Sequence, residues 1–370
     1  MIFGITFQDN EKNMNRLFKK FKRLNLYLKI KGIKGTYNYL FYYFLWTKKW
    51  VQKLFLPIVK YPPFLEIEVT TKCNLKCVMC EHTYWHEPSR DMTFQEFKSI
   101  VDQFPKLKWI GLTGIGESLL NKDFLKMLRY VKSKSIYVEL YDNFIFTTPE
   151  ISREFINIGV DRILASVDAA TKETYESIRV GANFENTINN LKSFIKLKKE
   201  MNSHFPELDF HFIVSKLNVN EIPEYVDLIH SLQSHGSKII FTRVLYWFKN
   251  IKNLYIDQIP QEIVCDAEKR SRNFDLRIGW GADVFSQKPS IKQCKEFIMP
   301  FVFVTGDVIC CCATNEANRR DFQKETSFGN ILKMPFKDIW NSKKYREFRK
   351  TIRKGIAPIQ CQNCPIYKVN

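Results

Sequence analysis

The stretch FLEIEVTTKCNLKCVMCEH, residues 64–82, joins a run typical of a buried strand to a cysteine-rich loop. The strand pattern covers residues 64–70. Three cysteines follow it: Cys73, Cys77 and Cys80. A structural zinc site needs four ligands, whereas a cubane iron–sulfur cluster held by three thiolates keeps its fourth iron open. The loop therefore favours such a cluster, with a zinc site completed by His82 or His86 as the alternative.

Strand-like runs alternate with helical stretches over the following part of the chain. The runs cover residues 64–70, 109–114, 137–143, 162–168, 208–216 and 237–244. Alternation of this kind indicates parallel β/α units, although it does not distinguish a full or partial barrel from an open sheet. In such barrels the reactive groups lie at the C-terminal ends of the strands. The cysteine loop follows the first strand at that end.

Three stretches after later strands, taken with the cysteine loop, resemble the radical S-adenosylmethionine (SAM) enzymes. They are LTGIGESLLN (112–121), YDNF (141–144) and ASVDAATKETYESIR (165–179). They are similar to that family's GGE, TNG and SxDG…YxxIR stretches, and they occur in the same order. Two positions depart from the pattern, because Ser118 replaces a common proline and Phe144 replaces the usual glycine.

The resemblance, over about residues 64–245, implies an α/β fold built as a partial (β/α)6 TIM-type barrel. It implies a 4Fe–4S cluster on Cys73, Cys77 and Cys80, with the amino and carboxylate groups of SAM on the fourth iron. It also implies SAM contacts for these residues: Gly114, Gly116, Glu117, Asn143, Ser166, Asp168 and Arg179. The implied reaction is reductive cleavage of SAM to a 5′-deoxyadenosyl radical, which removes hydrogen from an unactivated C–H bond.

A second group of cysteines lies near the C-terminus of the chain. Cys294, Gly306 and Cys311 match the spacing that begins the SPASM/twitch extension of radical SAM enzymes, and the stretch CQNC (361–364) supplies a closing pair. This resemblance implies a small C-terminal domain with one auxiliary 4Fe–4S cluster. The implied ligands are Cys294, Cys311, Cys361 and Cys364.

Alternatives remain open for this second site. Cys310 or Cys312 can replace Cys311 as a ligand, and a structural zinc can replace the cluster, because tetrahedral sulfur ligation suits both. Cys265 has no partner pattern and is predicted to be a buried apolar residue. A cluster with four thiolates binds substrate only by losing one, so we expect it to accept an electron from the substrate radical.

The net charge of +18 is concentrated near the N-terminus. Between Lys12 and Lys60 the chain has thirteen Lys and Arg residues and no Asp or Glu. We interpret residues 1–62 as a helical extension, and in the simplest interpretation its aromatic face packs on the barrel. A membrane-surface helix is the alternative that favours a lipid or lipid-linked glycan substrate. A peptide substrate, as for a ribosomal peptide maturase, is another, and nucleic acid is not expected.

The predicted organisation is an extension over residues 1–62, a radical SAM core over 63–250 and an auxiliary cluster domain over 251–370. The start of the chain lacks the order of a secretory signal, so we expect a cytoplasmic protein with reduced thiols, or one held peripherally at the inner membrane face. Expected partners are SAM and an electron donor such as flavodoxin or ferredoxin. A non-catalytic iron–sulfur or zinc scaffold is the remaining alternative.

Overall fold

A computed structural model describes residues 7–234, 236–243, 249–274, 276–281, 288–311, 320–362, 364 and 366–369, with side chains from residue 24 onward. The strands of the described residues are β1 (Phe64–Ile67), β2 (Lys76–Cys77), β3 (Trp109–Leu112), β4 (Tyr137–Asp142), β5 (Arg162–Ser166), β6 (Arg179–Val180), β7 (Glu207–Val214), β8 (Lys238–Arg243), β9 (Arg277–Trp280), β10 (Phe301–Val302) and β11 (Val308–Ile309).

The α-helices of the same residues are α1 (Phe7–Thr47), α2 (Lys49–Phe55), α3 (Glu81–Tyr84), α4 (Phe94–Asp102), α5 (Phe124–Ser133), α6 (Pro149–Ile158), α7 (Lys172–Ile178), α8 (Phe184–Glu200), α9 (Ile222–Ser231), α10 (Gln261–Asn273), α11 (Arg320–Glu325), α12 (Phe336–Asn341) and α13 (Lys343–Arg353). Local signals set several of these ends. Thr93 and Glu96 form a capping box at the start of α4, and Gly159 ends α6 in the left-handed conformation.

The main sheet confirms the predicted α/β fold. Its strand order is β11-β10-β1-β3-β4-β5-β7-β8-β9, and every neighbouring pair is parallel except β10 with β11. The six predicted strands are β1, β3, β4, β5, β7 and β8. Within the described residues the edge strands β9 and β11 do not pair with each other, so the sheet forms a partial barrel.

The C-terminal region shares this sheet. Strand β10 lies parallel to β1, with Glu66 opposite Phe301, and β9 extends the other edge beside β8. A tight turn at Gly306 joins β10 to β11, and its φ of +88° is a conformation that favours glycine. The C-terminal thiols are therefore fixed to the edge next to the first strand. The boundaries predicted near residues 62 and 250 stay predictions.

The N-terminal extension packs across the N-terminal ends of the sheet strands. Tyr42 of α1 stacks on Trp109 at 5.4 Å between ring centroids and meets the ring of Phe64 edge-on at 5.5 Å. Those two residues begin β3 and β1. Lys31 forms an ion pair of 2.9 Å with Asp161 and donates to a backbone carbonyl at the end of α6. The extension therefore covers the end of the barrel opposite the cysteine loop.

One prediction about the C-terminal region is wrong. Cys265 lies on α10 and is exposed, not buried. The helix turns Val264 and Ala267 inward, and Cys265 falls on the outer face between them.

Candidate active site

The cysteine loop is fastened to the helix end that carries Arg179. Strands β2 and β6 pair antiparallel with Cys77 opposite Arg179, and the Val78 amide donates to the Ile178 carbonyl at 2.9 Å. The Cys80 amide donates to the Cys77 carbonyl at 3.1 Å. These backbone contacts hold the loop beside the C-terminal end of β5, because Arg179 donates to Asp168, which follows that strand.

The three thiols of the loop are partly accessible, and no disulfide joins them. Burial raises the pKa of Cys77 to about 11 and that of Cys80 to about 12, and the charge of each neighbouring thiol contributes. The Arg179 guanidinium opposes this rise at Cys77. Among the described residues no three Cys, His, Asp or Glu side chains surround the position of one ion. A cubane bonds each thiolate to a different iron, so three neighbouring thiols in a shared loop fit it.

The two histidines of the zinc alternative differ in burial. His82 is buried, its Nδ1 has no hydrogen-bond partner among the described residues, and burial lowers its pKa. His86 is exposed.

The glycine-rich stretch after β3 packs directly on the cysteine loop. A Cβ atom at Gly116 would lie 2.3 Å from the Thr70 carbonyl oxygen and 2.7 Å from that of Lys72. The Glu117 amide donates to the same Lys72 carbonyl at 2.8 Å. Only a glycine permits this approach, so the sequence pattern here reflects backbone contact between the two loops.

Glu117 and Asn143 join the next strand to the same place. The buried Glu117 carboxyl accepts from the Asn143 amide at 3.1 Å, and burial with the nearby Asp142 carboxyl raises the pKa of Glu117 to about 8. The Asn143 side chain donates to the Asn74 side chain of the cysteine loop at 2.9 Å. Phe144 has a φ of +59°, so the position where the family has glycine keeps a glycine-like backbone.

Asp168 and Arg179 form a buried ion pair. Arg179 Nε donates to Asp168 Oδ2 at 2.8 Å, and the other carboxylate oxygen accepts from the Ile213 amide at 2.7 Å. The nearby carboxylate raises the pKa of Arg179 against the opposing effect of burial. The pair orients Arg179 toward the Cys77 loop. Direct contact of either residue with SAM stays a prediction, as it does for Gly114 and Ser166.

Polar residues inside the barrel are functional candidates that sequence reasoning missed. His211 of β7 lies in register with Ser166 of β5, its Nε2 is 2.8 Å from Thr242 Oγ1, and its ring meets that of Tyr141 edge-on at 5.5 Å. Burial lowers the pKa of His211 to about 4, so the ring is neutral near pH 7. The sequence does carry a signal for these residues, because they are polar residues at alternate positions near the ends of otherwise apolar strands.

A charged layer lies below these residues. Arg162 bridges Glu139, at 2.8 Å, and Asp209. The Asp209 carboxylate also accepts from the Lys238 amide. Since these four residues belong to adjacent strands, the layer ties β4, β5, β7 and β8 together beneath the polar interior.

Five C-terminal thiols line one small cavity: Cys294, Cys310, Cys311, Cys361 and Cys364. Burial raises the pKa of the Cys294 thiol, and the Cys310 and Cys361 side chains are hydrogen-bonding partners. Four of the five are the ligands that the resemblance implies. Cys310 is an additional thiol in the same cavity, and Cys312 lies outside the described residues. A thiol-lined cavity suits an iron–sulfur cluster.

Two parts of the chain match known families. Residues 67–229 match the Radical SAM superfamily, and residues 294–365 match SPASM, an iron–sulfur cluster-binding domain. The chain carries a radical SAM domain. Its second match shows that this radical SAM protein also carries a SPASM cluster-binding domain.

Relatives with known names agree with this membership. The chain is 26% identical over 336 residues to the tungsten-containing aldehyde ferredoxin oxidoreductase cofactor-modifying protein of Pyrococcus furiosus, covering 82% of this chain and 87% of that protein. It is 27% identical over 321 residues to the AdoMet-dependent heme synthase of Methanosarcina barkeri, covering 78% and 85%.

A solved structure shares the fold of this radical SAM chain. SuiB of Streptococcus suis, bound to the precursor peptide SuiA, has a TM-score of 0.64 at 13% identity, covering 87% of this chain and 78% of that one. At this level of identity the likeness shows the fold alone.

Proposed function

We propose that Cys73, Cys77 and Cys80 hold a 4Fe–4S cluster and that SAM binds beside it, on the backbone of residues 114–117. When bound, the reduced cluster and SAM supply one-electron cleavage of SAM and removal of hydrogen from an unactivated C–H bond. The observation that carries the proposal is the direct packing of the Gly116 backbone on the cysteine loop, at a distance that excludes any side chain.

The chain's own residues position this chemistry. Arg179 is held by Asp168 and places a positive charge next to Cys77, which favours the thiolate form that binds metal. Asn143 ties the end of β4 to the loop through Asn74. We assign the SAM carboxylate to Arg179, and the remaining polar groups of SAM to Gly114, Asn143 and Ser166.

The substrate side of the site is the polar interior formed by Tyr141, His211 and Thr242. These side chains lie on the inner face of the sheet, on β4, β7 and β8, near its C-terminal ends. The neutral His211 and the hydroxyl groups offer hydrogen bonds to an uncharged polar group of the substrate. The charged layer around Arg162 and the aromatic rings of α1 close the opposite end and exclude water from that side.

We propose a cofactor or peptide precursor as the substrate class. The relatives above are named for a modified cofactor and for heme, and SuiB was solved with a precursor peptide. The prediction of a lipid or lipid-linked glycan rested on the basic extension, and no relative named above supports it.

Deuterium transfer tests the substrate class. Fractions from cells grown in heavy water are supplied to the reduced protein with unlabelled SAM, and the released 5′-deoxyadenosine is analysed by mass spectrometry. The expected result is deuterium transfer from the small-molecule or the peptide fraction. Transfer from the lipid fraction alone would overturn this substrate class.

In this proposal, the C-terminal thiols hold one auxiliary 4Fe–4S cluster that accepts an electron from the substrate radical. Five thiols around one cavity support it, because four satisfy a cubane completely. An external donor such as flavodoxin or ferredoxin reduces the first cluster.

Cysteine variants test the catalytic proposal. With a strong reductant, the parent protein should release 5′-deoxyadenosine from SAM, and C73A should not. C361A should still release it but should form no product from the substrate, whereas C265A, at an exposed thiol, should behave as the parent. A parent protein that carries both clusters and releases no 5′-deoxyadenosine would establish the scaffold alternative. Unchanged product in C361A would rule out the electron-accepting role.

A second proposal concerns the outer face of the extension. None of the helices in the described part of the chain combines the length and apolarity needed to cross a bilayer. Large apolar side chains are nevertheless exposed there: Ile33, Tyr37, Trp50, Leu54 and Ile58. Lysines accompany them and acidic residues do not, which suits an anionic membrane surface.

Vesicle co-sedimentation tests this surface. The parent protein should sediment with vesicles containing phosphatidylserine at low salt, and W50E/L54E should not. Equal sedimentation of the two proteins, or no binding by the parent, would remove the membrane proposal.

A further inference from the structure

Glu68 is a buried carboxylate at the junction of three segments. It directly follows β1 and is fully buried. Its Oε2 accepts from the Ile115 amide at 3.2 Å, and its Oε1 accepts from the Val304 amide at 3.3 Å. Ile115 lies between Gly114, which packs on the Glu68 side chain, and Gly116, which packs on the cysteine loop. Val304 lies in the turn that leads to the C-terminal thiols. One carboxylate therefore fixes the backbone of both loops.

Arg320 neutralises this carboxylate from a distant part of the sequence. Its guanidinium makes two parallel hydrogen bonds to Glu68, of which the one from Nη1 to Oε2 measures 3.0 Å. Phe303 lies 4.3 Å from the guanidinium, with its ring beneath the positive charge. Both side chains of the pair are almost completely buried. If one of them is removed, water cannot reach the remaining charge without rearrangement.

Arg320 also reaches the cysteine loop. Its backbone amide donates to Glu81 Oε1 at 2.9 Å, and Glu81 directly follows Cys80. Arg320 thus contacts Glu81, just after the last thiol of the loop, with its backbone, and it contacts Glu68 with its side chain.

We propose that the Glu68–Arg320 pair positions the SAM-binding backbone at Ile115, so that SAM affinity depends on the docked C-terminal segment. The proposal rests on the function proposed above, because it places SAM at residues 114–117. Glu68 and Arg320 are positioning residues, since they act through the Ile115 amide and through Glu81.

Lys324 offers a matched control. It lies one turn later on α11 and forms an ion pair with Glu87, so it also joins this helix to the segment after the cysteine loop. That pair is partly exposed and touches neither Glu68 nor Ile115. K324M therefore removes one positive charge from the same helix and leaves the buried pair in place.

The test compares R320M, R320K and K324M with the parent. SAM affinity is measured by equilibrium dialysis, iron content by chemical analysis, and the exchange of amide hydrogens in residues 113–117 by mass spectrometry. In R320M, SAM affinity should fall about tenfold and exchange should speed up by a similar factor, as expected when the charge-assisted hydrogen bond from the Ile115 amide to Glu68 is lost. K324M should match the parent in all three measurements.

R320K keeps the charge but loses the planar fork, so it should lie between R320M and the parent. If R320M does not fold, R320K alone tests whether the pair positions the backbone at Ile115. The positioning role would be overturned by parent-like SAM affinity and exchange in R320M, or in R320K if only that variant folds. In that case the parent's own SAM binding would still uphold the proposed function. Failure of the parent to bind SAM would instead contradict the proposed function itself.

Discussion

The glycine-rich stretch after β3 can pack on the cysteine loop only because Gly116 has no Cβ atom. The spacing of the motifs was enough to predict Gly116, because the need for a missing side chain is a local property. The partnership of Glu68 with Arg320 could not be predicted, since 252 positions separate the two residues and only the folded sheet brings them together. Cys265 was misjudged because a thiol without a partner pattern carries no information about which face of its helix it occupies.

Gly116 gives the first prediction at this scale. G116A places a Cβ 2.3 Å from a backbone oxygen that cannot move away, so we expect a loss of about 1–3 kcal/mol in the free energy of unfolding and weaker SAM binding. Urea unfolding and equilibrium dialysis measure the two effects. G279A is the control, because its Cβ would meet the movable end of Lys238. Equal losses in both variants would contradict the explanation.

His211 gives a prediction about pH. Its folded-state pKa is about 4, below the ordinary value of 6.5, so the unfolded chain binds the proton first as the pH falls. The folded protein should therefore lose about 3 kcal/mol of stability from this residue between pH 6.5 and pH 4. H211Q keeps a hydrogen-bonding group without this titration, and other groups cancel in the comparison. Identical pH dependence of urea unfolding in parent and variant would contradict the assignment.

At the scale of elements, six strands were predictable, whereas β9 and the two-residue strands β2 and β6 were not. Six strands have enough alternating or continuous apolar residues to stand out from the sequence. The two-residue strands β2 and β6 form only because the cysteine loop lies against the end of α7. The N-terminal extension was predicted as a helical segment whose aromatic face packs on the barrel, but composition does not reveal that these contacts lie at the N-terminal ends of the strands.

Lys31 tests how the extension is attached. Its side chain is mostly buried between Asp161 and the Gly159 carbonyl, so K31M should lower the free energy of unfolding by about 1–3 kcal/mol. K34M, at an exposed position of the same extension just after the break at Gly32, should change it by less than about 0.5 kcal/mol. Urea unfolding distinguishes the two. Equal stability of K31M and K34M would mean that the aromatic contacts alone hold the helix.

At the scale of the whole molecule, the two cysteine regions belong to one sheet. Strand β10 pairs with β1, and each strand runs into one of the two thiol-bearing segments. Strand alternation alone left the barrel and the open sheet undecided, and the family resemblance supplied the partial barrel. The sharing of edge strands between the regions was not predicted, because two-residue strands gain their pairing only from the assembled sheet.

In the proposed function this one chain holds two iron–sulfur clusters. Iron, acid-labile sulfide and zinc should be measured in the anaerobically reconstituted protein, with C73A/C77A/C80A and C361A/C364A beside it. About eight irons, matched by sulfide, are expected in the parent, and about four in each variant. About four irons together with one zinc in the parent would contradict the proposal, because the C-terminal thiols would then form a structural site and could not accept an electron.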